Sequence, residues 1–207
     1  MKKIILSILA VVAFGTANAQ DIKFGAKAGL NISNLTGDTE DTKSKIGFHL
    51  GGVIEIKITD KFSVQPELLF STQGAKYEES ESFGGESYKY ETTMKLNYLN
   101  IPIMAKYYVA ENFSILAGPQ VGFLMSAKAD WEETYSFGGT TESDSGEEDV
   151  KDFYKGIDFG LNLGLGYDFT ENIFVEARYN LGLSNIADVD NYKEKNSVFQ
   201  ISLGYRF

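Results

Sequence analysis

Few residues in this chain are suited to acid–base or nucleophilic chemistry. His49 is the only histidine, and there is no cysteine. A catalytic histidine needs a serine and an acidic residue in a defined geometry, and the sequence identifies neither partner for His49. We therefore predict no catalytic residues and interpret His49 as a histidine bonded to its neighbours or to water. An enzyme acting on envelope lipids is the least favoured alternative.

Carboxylates are concentrated in residues 127–155, where their oxygens could bind calcium. The ordered ligand spacing and the glycine of an EF-hand loop are missing, and no glycine-rich stretch resembles a nucleotide-binding loop. We interpret the segment as a solvated acidic loop and predict no metal site and no cofactor. Divalent cations that bridge the loop to lipopolysaccharide phosphates are the alternative. The acidic residues are Asp130, Glu132, Glu133, Glu142, Asp144, Glu147, Glu148, Asp149 and Asp152.

The composition of the chain favours a β-sheet protein in a membrane. The formal charge is −10, and because phosphate binding needs clustered lysine and arginine, we predict no nucleic-acid partner. No apolar run after residue 19 reaches the ~20 residues of a transmembrane helix. Aromatic residues nevertheless make up 14% of the chain and 21 residues are glycine, which is typical of β-barrels.

The N-terminus has the three parts of a secretory signal. Lys2 and Lys3 form the positive region, residues 4–14 are an apolar run too short to span a bilayer, and residues 17–19 (Ala-Asn-Ala) suit a signal peptidase. We predict a signal peptide at residues 1–19 and a single barrel domain at residues 20–207.

Alternation of apolar and polar residues recurs eight times along the chain. In the clearest case, apolar side chains occupy every odd position from Ile157 to Phe169, and glycine or polar residues occupy the even positions. This period of two indicates β-strands with two different faces. The predicted strands are 22–32, 46–58, 62–74, 95–109, 113–126, 156–169, 173–184 and 197–207.

The connections between these strands are alternately short and long. Short turns at one end and long polar loops at the other are typical of outer-membrane barrels. The sequence thus predicts an all-β fold, one eight-stranded antiparallel up-and-down transmembrane barrel in the outer membrane of a Gram-negative bacterium. Its long loops should be extracellular and its short turns periplasmic. The turns are 59–61, 110–112 and 170–172, and the loops are 33–45, 75–94, 127–155 and 185–196.

The apolar faces stay aligned across the short turns if Ile58 opposes Phe62 and Tyr167 opposes Val175. Aromatic residues on this face gather near the short turns, as in the interface girdle of a membrane barrel. A soluble lipocalin-like barrel, the alternative, would bury them inside. The predicted girdle consists of Phe24, Phe62, Tyr107, Phe113, Tyr167, Phe169, Tyr205 and Phe207.

The opposite face carries charges of both signs, which must pair if the lumen is narrow. Gly164 and Gly166 should face Arg178 and Glu176 and leave them room to cross the lumen. We therefore predict a filled lumen. Its charged residues are Lys27, Glu55, Lys57, Glu67, Lys106, Glu176 and Arg178.

Three prolines fall within predicted strands, at Pro66, Pro102 and Pro119. Proline removes a hydrogen bond from the strand ladder and is normally found at edges or bulges. Because a closed barrel has no edge, we expect a local bulge or bend at each proline.

Short motifs in four strands carry a family resemblance. Residues 24–33 are FGAKAGLNIS, residues 96–102 are LNYLNIP, Gly118 precedes Pro119, and residues 202–207 are SLGYRF with a terminal aromatic. Across essentially the whole of residues 20–207, the chain resembles the Bacteroidetes outer-membrane barrels called PorT-like or "porin family". The ending resembles the signal recognised by the barrel-insertion machinery. The resemblance implies no common catalytic residues, and the family name does not imply a pore.

The expected role is that of a structural or interaction protein of the cell envelope, and we expect a monomer. Aromatic residues in 75–94 and 127–155 are either contact residues for a partner or part of β-hairpins that extend above the membrane. Expected partners are outer-membrane lipid and lipopolysaccharide, the barrel-insertion machinery, and an extracellular protein or glycan. A narrow pore for small solutes and an accessory factor in protein export are the alternatives.

The signal peptide gives a direct prediction. N-terminal sequencing of protein extracted from the membrane should start at Gln20, because peptidases cut after small residues such as those at 17–19. A mature chain that starts at Met1 would contradict both the signal and the envelope localisation inferred from it.

Overall fold

The computed structural model describes residues 22–39, 41–84 and 86–207, so the predicted signal peptide lies outside the described residues. Within this part of the chain, ten antiparallel strands form one sheet, and a 3₁₀ helix covers Lys151–Phe153. No helix of the described residues is long and apolar enough to cross a membrane. The strands are β1 (Ile22–Gly37), β2 (Thr42–Thr59), β3 (Phe62–Gln73), β4 (Ala75–Phe83), β5 (Glu86–Tyr108), β6 (Phe113–Phe137), β7 (Thr140–Asp149), β8 (Ile157–Asp168), β9 (Ile173–Gly182) and β10 (Glu194–Arg206).

Eight of these strands close into a ring. Each pairs with the next in the order β1, β2, β3, β5, β6, β8, β9, β10, and β10 pairs back with β1. Apart from the two strands left out, neighbours in the ring are neighbours in sequence, as in an up-and-down barrel. The predicted eight-stranded antiparallel barrel is confirmed.

The two remaining strands, β4 and β7, lie outside the ring. β4 pairs mainly with β5 across a turn at Gly84, and β7 pairs with β6 across a turn at Gly138 and Gly139. All three glycines have positive φ, which a side chain would disfavour. With residues 86–96 of β5 and 127–137 of β6, they form a four-stranded sheet beyond the ring, which we call the projecting sheet. The loops predicted at 75–94 and 127–155 are therefore mostly β-structure.

The ring has an apolar outside and a polar inside. Large apolar side chains on the outer face are exposed from every ring strand, whereas lysine, arginine, glutamate and asparagine side chains are buried on the inner face. This is the reverse of a soluble barrel and confirms the membrane barrel. All eight predicted girdle residues lie on the outer face at or near the short-turn ends of their strands, and the rings of Tyr167 and Phe169 meet edge-on at 5.1 Å.

The predicted pairing across the short turns is correct at one turn and partly wrong at another. Tyr167 faces Val175 as predicted. Phe62 faces Thr59 rather than Ile58, because the register of β2 and β3 shifts by one residue after Lys57. Ile58 has no partner in the β2–β3 ladder, which explains the difference.

The prolines are accommodated without the expected bulges. Pairing is interrupted beside Pro66 in β2–β3, beside Pro102 in β3–β5 and beside Pro119 in β5–β6. The register is the same on both sides of each interruption. Each proline therefore removes local pairs from the ladder and leaves the alignment of the strands intact.

A second register shift separates the ring from the projecting sheet. Tyr98 pairs with Leu124, but Asn97 pairs with Ser126, so Met125 has no partner on β5. As a result, β6 points even-numbered residues such as Leu124 inward before the shift and odd-numbered residues such as Ala127 inward after it. The bulge therefore reverses which positions of β6 face inward between the ring and the projecting sheet.

Candidate functional site

Charged side chains fill the lumen at its short-turn end. Arg206 Nε lies 2.8 Å from Glu55 Oε2, and its Nη2 lies 3.0 Å from Asp168 Oδ1. Lys106 Nζ lies 3.6 Å from Glu55 and 3.5 Å from Asp168. Tyr108 donates a hydrogen bond to Glu55 at 2.6 Å. In this rim cluster two cations balance two carboxylates, which is the condition for burying charge at tolerable cost.

Phe174 closes the lumen beside the rim cluster. Its ring is fully buried, with the Arg206 guanidinium 4.3 Å and the Lys106 ammonium 5.7 Å from its centroid. Gly204 makes room for it, since a Cβ there would come within 2.0 Å of the ring. An open pocket of about 680 Å³ at the short-turn end is lined in part by rim-cluster residues. The lumen is therefore filled directly inside this mouth.

A second group of buried charges, the central cluster, crosses the middle of the lumen. Arg178 donates two hydrogen bonds to Glu67, at 3.0 and 2.8 Å, and also pairs with Glu176. Lys27 Nζ lies 2.7 Å from Glu67 and 3.1 Å from Glu176. Gln65 donates to both carboxylates, at 2.7 and 2.9 Å. Two cations again balance two carboxylates, and all five side chains are buried.

The predicted lumen charges are confirmed with one exception. Gly164 pairs with Arg178 and Gly166 with Glu176, as expected. Lys57, however, is half-exposed near the short turn and pairs with Asp60 at 3.2 Å. Water reaches this position, so Lys57 needs no partner inside the lumen.

The charged residues predicted for the lumen did not include Asp168 and Arg206, two members of the rim cluster. Asp168 and Arg206 lie at the ends of β8 and β10, on the same alternation phase as their lumen-facing neighbours. That phase is a signal that could have identified them.

His49 lies in the lumen on the long-loop side of the central cluster. Its Nε2 is 2.8 Å from Ser202 Oγ and its Nδ1 is 2.8 Å from Asn31 Oδ1. Gln200 donates to the same Asn31 oxygen at 3.0 Å, and Asn31 donates to Ser71 at 3.0 Å. A serine, a histidine and an amide thus line up, but all are buried among packed side chains. Their contacts satisfy buried polar groups, which fits the structural interpretation of His49.

An apolar cluster, here called the cap, closes the lumen at its long-loop end. Ile186 comes from the connection between β9 and β10 and is fully buried. Its carbonyl accepts a hydrogen bond from the backbone N–H of Lys155 at 2.7 Å, and its N–H donates to the carbonyl of Glu194 at 2.8 Å. A loop is thus pinned into the mouth of the barrel. The cap consists of Leu35, Ala75, Leu96, Tyr98, Leu124, Ala127 and Ile186.

Polar contacts hold the elements around the cap together. Glu194 accepts hydrogen bonds from Thr39 at 2.9 Å and from Tyr77 at 3.4 Å. Burial and the Glu194 carboxylate raise the pKa of Tyr77, so its hydroxyl stays protonated and remains a donor. These contacts join the β1–β2 connection, β4 and β10 where the projecting sheet begins.

The projecting sheet divides the acidic segment between two faces. The inner face continues the lumen side of the ring, and the outer face continues its lipid side. On the outer face, Lys128 pairs with Glu147 at 2.5 Å, and hydrogen bonding to this carboxylate raises the pKa of Lys128. Lys95 pairs with Asp130 on the same face. The inner face holds Glu133, Glu142, Asp144 and Glu148, and the outer face holds Asp130, Glu132, Glu147 and Asp149.

This division bears on the alternative that the segment binds calcium. A calcium site gathers six to eight oxygens around one point, whereas the strands direct these carboxylates to opposite sides of a sheet. In the described ranges, no group of three or more histidine, aspartate or glutamate side chains is arranged to hold a metal ion.

Comparison with known families identifies the barrel. The sequence profile of the family described as "outer membrane protein beta-barrel domain" matches residues 18–188. The chain belongs to this family. The description of this family and the apolar outer surface of the ring together place the protein in the outer membrane. No protein of curated function matches the chain in sequence.

Neisserial surface protein A, whose structure is solved, shares the fold, and two other solved barrels show lower structural similarity. Neisserial surface protein A is 14% identical with a TM-score of 0.52, over 89% of this chain and 97% of that one. Ail, the attachment invasion locus protein of Yersinia pestis, is 16% identical with a TM-score of 0.46, over 89% and 98%. CarO of Acinetobacter baumannii is 13% identical with a TM-score of 0.44, over 87% and 97%. At these identities the likeness concerns the fold alone.

The central cluster generates a stability prediction. Arg178→Ala should lower the free energy of unfolding by about 3–5 kcal/mol, because it leaves two buried carboxylates, Glu67 and Glu176, with only Lys27 to balance them. Denaturant unfolding in detergent micelles or lipid measures the change. Glu142→Ala, an exposed change on the projecting sheet, should alter it by less than about 0.5 kcal/mol.

A double variant separates charge balance from packing. Arg178→Ala with Glu67→Ala leaves Lys27 paired with Glu176, so it should destabilise less than the sum of the two single changes. Strictly additive losses would contradict a mutually paired cluster.

Proposed function

We propose that this outer-membrane barrel is a non-conducting, non-catalytic interaction protein of the cell envelope, with the projecting sheet as its contact surface. The observation that carries the proposal is the projecting sheet itself. At about 3.4 Å per residue, residues 127–137 of β6 extend about 35 Å along the strand beyond the ring. The lumen offers no comparable surface, because side chains fill it.

The proposed orientation places the projecting sheet outside the cell. Short turns face the periplasm and long connections face outward in bacterial outer-membrane barrels. In that orientation the barrel wall meets outer-membrane lipid and lipopolysaccharide, and the projecting sheet meets an extracellular protein or glycan. We also propose a monomer that reaches the membrane through the barrel-insertion machinery.

A narrow pore is the alternative from the transport class. The rim cluster, the central cluster and the cap lie one after another along the lumen, and each would have to open for a solute to pass. Eight strands enclose a space that side chains can fill, whereas open aqueous channels occur at ~16 strands. These features favour a contact role over transport.

A lipid-modifying enzyme is supported less well. The contact of His49 with Ser202 would be the candidate machinery, but a substrate would have to enter the packed lumen to reach Ser202 Oγ. The strand motifs at residues 24–33 and 96–102 favour a PorT-like barrel of the Bacteroidetes, which keeps an accessory role in protein export as a further alternative.

Conductance tests the filled lumen. Purified protein in planar bilayers should show little or no stable porin-scale conductance, with a sixteen-stranded porin in the same bilayers as the positive control. The expected result follows from paired charges at two levels and an apolar cap above them. Large, stable channels in the wild type would instead favour the transport function.

Cysteine labelling tests the orientation. The chain contains no cysteine, so single variants can be labelled without background. A membrane-impermeant maleimide should modify Ser80→Cys and Ser143→Cys on intact cells, and Asn172→Cys only after the outer membrane is permeabilised. Labelling of Asn172→Cys alone on intact cells would reverse the orientation.

A further inference from the structure

The two faces of the projecting sheet differ in chemistry as well as in direction. Strand pairing places Tyr77, Thr92, Trp131 and Gly146 in one row across the sheet. This row and every second row beyond it belong to the inner face. The bulge at Met125 brings the odd-numbered residues of β6 onto this face.

Aromatic and acidic side chains dominate the inner face. It carries seven aromatic and seven acidic residues and no lysine, arginine or histidine. All four lysines of the projecting sheet, Lys76, Lys89, Lys95 and Lys128, lie on the outer face. The aromatic residues are Tyr77, Phe83, Tyr88, Tyr90, Trp131, Tyr135 and Phe137, and the acidic residues are Glu79, Glu81, Glu86, Glu133, Glu142, Asp144 and Glu148.

Both kinds of residue occur together in each of the three rows nearest the tip of the sheet. Tyr88 and Tyr135 face one another and are flanked by Glu81 and Glu142. In the next row towards the barrel, Tyr90 lies between Glu79 and Glu133, and Asp144 follows. In the row at the tip, Glu86 lies between Phe83 and Phe137. Each of these three rows thus offers an aromatic ring beside at least one carboxylate.

The inner-face carboxylates have no cation to balance them among the described residues. Every ion pair of the projecting sheet uses an outer-face carboxylate, such as Glu91 with Lys89 at 2.9 Å. On the inner face Glu133 directly faces Asp144, and opposed like charges destabilise a sheet. Tyr88 donates a hydrogen bond to Glu133 at 3.2 Å, which relieves this repulsion only in part. A ligand with positive charge would remove it.

Exposure of the aromatic rings points to the same kind of ligand. Phe83 is 91% exposed and Phe137 is 55% exposed at the tip of the sheet, where water solvates both rings poorly. The face of an aromatic ring attracts cations, and guanidinium groups both stack on rings and bind carboxylates through two parallel hydrogen bonds. Rings beside carboxylates therefore suit arginine, and to a lesser degree lysine.

We propose that the inner face of the projecting sheet binds an extended polypeptide segment with arginine or lysine at every second position. Successive inner-face rows lie about 6.8 Å apart, which is also the spacing of alternate side chains in an extended chain. A segment running along the strands can therefore place one cation on each row. The proposal rests on the contact function of the projecting sheet and names the chemistry of its partner.

Binding of a defined peptide tests the proposal. The full-length protein in nanodiscs of zwitterionic lipid is titrated with a ten-residue peptide of alternating arginine and serine, and with matching glutamate–serine and all-serine peptides. Trp131 is the only tryptophan of the chain, so its fluorescence reports binding at the inner face. The arginine peptide should change this fluorescence saturably and bind more weakly at higher salt, and the other two peptides should not bind.

Matched variants locate the binding. Tyr88→Thr with Tyr135→Thr should raise Kd about tenfold, through loss of two cation–π contacts. Glu133→Gln with Asp144→Asn should raise it by a similar factor. The control is Glu91→Gln with Glu132→Gln, which removes the same charge from a directly opposed outer-face pair and should change Kd less than twofold. Unchanged melting temperatures show that each variant is folded.

The outcomes separate this proposal from the function on which it rests. No binding of the arginine peptide to the wild type, or equal Kd values for the inner-face and outer-face charge variants, overturns the cationic partner. If a sulfated oligosaccharide or the acidic peptide binds instead and the inner-face variants abolish that binding, the contact surface stands with a different partner. Stable porin-scale conductance would overturn the contact function itself.

Discussion

Each charge that points into this barrel must find a partner across a lumen hardly wider than its own side chain. A ring of eight strands imposes this constraint, because its interior is filled by side chains rather than by bulk water. The central cluster meets it with Arg178 and Lys27 against Glu67 and Glu176, and Gln65 donates further hydrogen bonds to both carboxylates. The identity of each inward residue is thus tied to residues on other strands.

The same constraint determines where small residues lie. Gly164 and Gly166 face Arg178 and Glu176, and Gly204 gives way to the ring of Phe174. A large side chain on one strand is accommodated by a glycine on the neighbouring strand. Steric fit and charge balance therefore act together, and a substitution that disturbs either is felt across the lumen.

Much of the ring could be predicted from the sequence, because alternation is repeated in every strand and any shift of one residue would expose polar groups to lipid. The paired lumen charges followed from their phase on strands and from the narrowness of eight strands. Lys57 was assigned wrongly because alternation gives direction but not depth, and this lysine lies where water reaches it.

The cap and the projecting sheet could not be predicted in the same way. Ile186 lies in an irregular connection without a repeating pattern of apolar residues, and only the folded chain shows that it enters the barrel mouth. In β6 the alternation breaks at Met125, so a pattern of period two ends at the bulge although the strand continues to Phe137. The bulges predicted at the prolines were wrong, because each proline interrupts strand pairing without shifting the register of the two strands.

The bulge at Met125 means that one strand obeys two patterning rules. Within the ring, the odd-numbered residues of β6 face lipid. Beyond the bulge, they lie on the inner face of the projecting sheet. If β6 ran through this point without the bulge, so that Met125 paired with Asn97, the faces of β6 and β7 would be exchanged while β4 and β5 stayed in place. Aromatic and lysine side chains would then be mixed on both sides. The separation of the two faces therefore depends on one unpaired residue in β6 as much as on the identity of the residues that follow it. A one-residue shift of the β5–β6 pairing beyond this point would therefore remodel the outer surface of the protein without altering the barrel.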